Sequence, residues 1–176
     1  MLLRKINAGI SLFITFLLLY HSMFLSAWML SGGSFAKKAN VMPFVLFGCM
    51  LVHAGISIAQ AALGHKGAEK RKCNGYPKQN MATNLQRMSG MLLIVFTALH
   101  VGGTVGIMQP PAAVHAIVPP IFFTFALGHV AVSGSKAFIT LGIGSTKFVK
   151  VADVVIKLVC GVTLVAAIVG FYLHSV

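Results

Sequence analysis

Acid is what this chain has least of. Glu69 and Asp153 are its only carboxylates, against fourteen Lys and Arg, and charged residues of either sign are 9% of the 176. A soluble domain gives roughly a quarter of its residues to charge, so an ordinary aqueous surface is excluded. Thiols are equally sparse. Cys49, Cys73 and Cys160 are scattered with neither a C-x-x-C nor a C-x-x-C-H spacing, which excludes covalent heme attachment. Cys49 and Cys160 fall inside apolar runs and read as packing residues. The nine methionines are dispersed and do not cluster as soft metal ligands. No aromatic residues interleave with the basic ones, so the formal charge of +12 does not indicate nucleic acid. No internal repeat can be aligned, which argues against an inverted-repeat transporter.

What the chain has in abundance is hydrocarbon: 57% of its residues are hydrophobic and its mean hydropathy is +0.90. A helix needs about 20 residues to cross a ~30 Å apolar layer. Five stretches are long enough, at 7–30, 42–63, 88–108, 117–142 and 149–174. The expected fold is all-α, an integral membrane bundle of five transmembrane helices forming one domain over 1–176. Arg4 and Lys5 before the first run resemble the start of a signal peptide. The run continues past 20 residues without a small-x-small cleavage site, so a retained helix is expected.

Punctuation agrees with these limits. Ser31-Gly32-Gly33-Ser34 closes span one and Pro43 opens span two, where a missing N–H costs least. Residues 64–84 read as the one substantial loop, Pro110-Pro111 as a stiff turn, and Pro119-Pro120 as the start of span four. Gly142, Gly144 and Ser145 separate spans four and five. The basic residues distribute by side. Lys66, Lys70, Arg71, Lys72, Lys78 and Arg87 crowd the loop between spans two and three, with Arg4, Lys5, Lys147 and Lys150 on the same side and only Lys37 and Lys38 on the other. The positive-inside rule then places the N-terminus in the cytoplasm. That face would attract anionic lipid or an acidic partner.

Within the apolar runs stand four histidines, one on each of the first four spans: His21, His53, His100 and His129. An ionisable side chain in hydrocarbon is a functional candidate. Four rings on four helices suffice to bind two heme irons through paired axial ligands. Helix direction pairs His21 with His100 at an outer level and His53 with His129 at an inner one. Bis-imidazole ligation leaves no open iron position, which suits electron transfer, and a bundle interior is a usual place for the cofactor. Ala54, Gly55, Gly102, Gly103 and Gly128 leave flat space beside the rings. Arg4, Lys5, Arg87, Ser89 and Lys136 are available to the propionates. His65, His115 and His174 lie in loops or at ends and are given no role.

Leu85-Gln86-Arg87-Met88-Ser89-Gly90, continuing to Phe96 and His100-Val101, resembles the L-Q-R-x-[ST]-G-x₉-H helix of the diheme cytochrome b subunit of succinate:quinone oxidoreductases. That is the succinate dehydrogenase and fumarate reductase family. Val52-His53-Ala54, His129 followed by Gly134 and Gly142, and Arg4-Lys5 ahead of His21 are similar to its other helices. The resemblance implies two non-covalent b-type hemes, with His21 and His100 on the distal iron and His53 and His129 on the proximal one. It implies that Arg87 and Ser89 contact propionates, with Gln86 and Lys136 as further propionate or quinone-site candidates. It also implies electron transfer between a membrane quinone, often menaquinone, and an iron–sulfur subunit, with the dicarboxylate chemistry on a flavoprotein subunit. Such a respiratory complex sits in the cytoplasmic (inner) membrane.

The chain departs from members that handle protons with intramembrane glutamates, since no Glu lies in any span. Lys157, four residues after Asp153, is expected to form an i,i+4 ion pair, with a propionate contact as the alternative. Two other readings remain open: the cytochrome b of another quinone-linked dehydrogenase, such as a hydrogenase or formate dehydrogenase, and a non-redox transporter that uses histidines for metal or protons.

Overall fold

Long apolar runs must satisfy their own backbone N–H and C=O groups, and the α-helix does so locally. The computed structural model describes the backbone of residues 2–31, 41–68, 77–104, 106–107 and 111–175, and their side chains apart from 64–68, 77–80, 82, 104, 112–116 and 174–175. It contains five helices, α1 (Leu2–Leu30), α2 (Met42–Ala68), α3 (Pro77–Thr104), α4 (Ala112–Leu141) and α5 (Thr146–Ser175). All five are long and apolar enough to cross a membrane.

The helices outrun the apolar stretches that signal them. The expected loop at 64–84 is helical at both ends, because α2 continues to Ala68 and α3 begins at Pro77. Proline at the first helical position loses no hydrogen bond, and the polar turns after it contain good helix formers such as Gln79, Met81 and Gln86. Hydropathy marks only the part of a helix matched to hydrocarbon. Pro119 and Pro120 lie inside α4, not at its start. The side chains of Lys37, Lys38, Lys66, Lys70, Arg71, Lys72, Lys78, Cys73, His65, His115 and His174 lie outside the described residues.

The turn from α4 to α5 forms where expected. Gly142 ends α4 at φ +73°, and the Ile143 N–H reaches back to the Phe138 carbonyl at 3.0 Å, a Schellman closure that favours glycine. Gly144 has φ +82°, and a Cβ there would fall 2.3 Å from the Phe148 ring. Ser145 then caps α5, its Oγ accepting the Phe148 N–H at 3.3 Å.

Helix α4 is the centre of the bundle. Phe122, Phe123, Ala126, Leu127 and Val130 are buried, with Leu127 only 1% exposed. Packed interfaces join α4 to α5, α3 and α1, and α1 to α5 and α2. Among the described residues, neither α1 with α3 nor α2 with α4 forms a packed interface. Small and hydroxyl side chains line the closest contacts, as helix packing in lipid favours. Ser22 and Ser26 of α1 and Cys160, Thr163 and Ala167 of α5 are buried, and a Cβ on Gly170 would lie 3.0 Å from the Met29 Cβ. Outward, α5 presents Val151, Val155, Leu158, Val162, Val165 and Val169, a surface that suits acyl chains.

Candidate functional site

Helical geometry sets which polar groups can share the interior. On α3, Gln86, Ser89, Gly90, Leu93, Thr97 and His100 recur at three- and four-residue steps and therefore share one stripe. That stripe faces α4, and four pairs of groups step along the antiparallel interface. Lys136 Nζ donates to Gln86 Oε1 at 2.8 Å. Ser89 Oγ lies 2.9 Å from His129 Nδ1. The Phe96 and Phe125 rings stack at 5.5 Å, and His100 stacks on Phe122 at 4.8 Å with 14° between their planes.

The histidines fall into two layers. His21 is close enough to His100, and His53 to His129, for a charge on one ring to be felt at the other. Each pair bridges two helices that do not pack on one another. The four rings do not converge on one point. Among the described residues, no three His, Cys, Asp or Glu side chains gather as a site for a single metal ion.

The inner layer is built around a polar cavity of about 180 Å³ between α1, α2, α3 and α4. Arg4, Asn7, Ser11, His53, Gln86 and Lys136 are among its lining residues. His53 Nδ1 and Asn7 Oδ1 are buried there without hydrogen-bond partners. Asn7 Nδ2 instead donates to Ser57 Oγ at 3.1 Å, and Gln60 Nε2 donates to the Leu3 carbonyl at 3.3 Å. These two bonds tie α2 to α1. Arg4 and Lys136 bring positive charge to the cavity, and no carboxylate lines it. Asp153 is engaged elsewhere. It accepts a hydrogen bond from Ser135 Oγ at 2.7 Å and forms the expected ion pair with Lys157.

Of the residues singled out in the sequence, Arg4, Gln86, Lys136 and His53 meet at this cavity, and Ser89 meets His129. Lys5 and Arg87 are exposed and do not line it. Asn7, Ser11, Gln60 and Phe122 were not legible as site residues from composition. For the α1 pair the signal was there, since Arg4, Asn7, Ala8 and Ser11 lie at helical spacing on one face.

The chain gives no match to known family models, to characterised proteins or to solved structures. Its function therefore has to be argued from these residues.

Proposed function

We propose that this protein is a diheme cytochrome b membrane anchor that passes electrons between a membrane quinone, menaquinone by the family resemblance, and the iron–sulfur subunit of a succinate dehydrogenase or fumarate reductase complex. The observation that carries this reading is the His53 ring, whose Nδ1 is buried without a hydrogen-bond partner at a polar cavity that Arg4 and Lys136 line with positive charge.

The residues fit heme. A buried imidazole nitrogen without a partner, as at His53, costs free energy unless a bond is made to it, and iron accepts such a lone pair. Arg4 and Lys136 at the inner cavity suit carboxylate propionates, and Ser11 and Thr140 add hydroxyls there. His21 and His100 would hold the second group, with the Phe122 ring stacked on His100 keeping that imidazole in plane. Heme supplies one-electron transfer. The protein supplies paired imidazoles, cations for the propionates and an apolar surround that keeps water from the irons.

The distribution of Lys and Arg supports an N-terminus on the cytoplasmic side of the inner membrane. Arg4, Lys5, Arg87, Lys147 and Lys150 would lie there, on the side where an iron–sulfur protein docks with a flavoprotein beyond it. The experiment is a reduced-minus-oxidised spectrum of the protein purified from membranes. A b-type spectrum with about two hemes per chain, at two ligands per iron, is expected. Absence of heme sinks the proposal and favours a histidine-lined transporter. Co-purification with hydrogenase or formate dehydrogenase subunits would move the chain to another quinone-linked complex.

A further inference from the structure

The two inner histidines differ in what holds them. His53 Nδ1 has no hydrogen-bond partner, whereas His129 Nδ1 lies 2.9 Å from Ser89 Oγ. The Ser89 hydroxyl in turn donates to the Gln86 backbone carbonyl at 3.1 Å. A hydroxyl has one proton. With that proton directed to the carbonyl, Oγ offers a lone pair to the ring, and the ring must supply the hydrogen. That arrangement puts the ring proton on Nδ1 and leaves Nε2 as the nitrogen with a free lone pair.

Close packing holds the ring in this position. A Cβ at Gly90 would lie 3.3 Å from His129 Cε1, so the imidazole rests directly against α3 beside the serine. The ring has a neighbour at its edge, a hydrogen bond at Nδ1 and one nitrogen left to bind. Resting on the heme reading above, we propose that Ser89 is a positioning residue for His129: through the Ser89–Gln86 relay it selects the tautomer and orientation in which Nε2 is presented to iron. The resemblance alone would place Ser89 at a propionate. The geometry gives its hydroxyl to the axial ligand instead.

An acceptor at Nδ1–H increases the electron donation of the imidazole. Greater donation favours ferric over ferrous iron and lowers the midpoint potential of that heme. The full chain in its native membrane is the material for the test, with Ser89→Ala and Ser89→Thr compared by reductive titration. Ser89→Ala should raise the potential of one heme and leave the other unchanged. A loss of ferric preference of about tenfold corresponds to about 59 mV for one electron. Ser89→Thr, which keeps a hydroxyl, should restore the original value. The affected heme must be the one that disappears in His129→Ala.

If Ser89→Ala releases that heme altogether, the threonine variant decides. Retention at the native potential supports the relay, and equal loss overturns it. An unchanged potential in Ser89→Ala also overturns it, as does a shift confined to the heme that survives His129→Ala. A wild-type protein without heme is a different failure, that of the functional reading itself.

Discussion

Alanine at His129 removes the same heme that is lost with alanine at His53, and each variant retains the other heme. The expected content falls from about two hemes per chain to about one. Alanine at His21 or His100 removes the complementary heme. The prediction follows from the layers. On the diheme reading His53 and His129 would share one iron and His21 and His100 the other, so each heme would depend on both members of its pair. Truncating either would leave a single imidazole to hold that heme. Difference spectra of the four variants, with the two hemes separated by potential, check the result. Loss of one heme shared by His21 and His53 would break the assignment.

Valine at Gly90 should abolish the inner heme without mutating any ligand. The space beyond the Gly90 Cα is already taken by His129, whose Cε1 would stand 3.3 Å from an added Cβ. Alanine requires the ring to give by a few tenths of an ångström, and a near-native heme content is expected. Valine adds two methyl groups in the same direction. The imidazole can accommodate them only by turning away from α3, which also separates Nδ1 from Ser89. Because perturbing a group that orients a ligand typically lowers metal affinity by about 10–100-fold, the inner heme should be lost on purification while the outer one persists. Heme titration of Gly90→Ala and Gly90→Val measures both. Retention of two hemes by the valine variant would show that the ring is not held at this contact.

The five helices were legible because apolar runs of membrane length have few other uses, and the Gly142–Gly144 turn because positive φ favours glycine. The start of α3 was hidden, since its first turns are polar and hydropathy sees only the hydrocarbon-matched part. The histidines stood out by their energetic cost, and helix direction was enough to suggest how they pair. The sequence motif places Arg87 and Ser89 together, but helical rotation turns them apart. Residues two apart point to nearly opposite sides of a helix, so with Ser89 against His129, Arg87 is turned outward. Lys5 and Arg4, one residue apart, differ by about 100° around the helix, and only Arg4 lines the cavity. Asn7 and Gln60 went unnoticed because single amides within apolar runs carry no motif. Their role appears only when α1 and α2 are set side by side.

Among the described residues, helix α2 has one side chain in the buried core, Leu46, and a packed interface with α1 alone. Two amide hydrogen bonds, from Asn7 to Ser57 and from Gln60 to the Leu3 carbonyl, supplement that contact. Segments with few buried contacts open at lower free energy than the rest of a fold. His53 rides on this helix, whereas His129 belongs to the most deeply packed one. Under warming or detergent, α2 should therefore peel from α1 first and carry His53 away from the cavity. The order in which the bundle comes apart thus decides which histidine is displaced first.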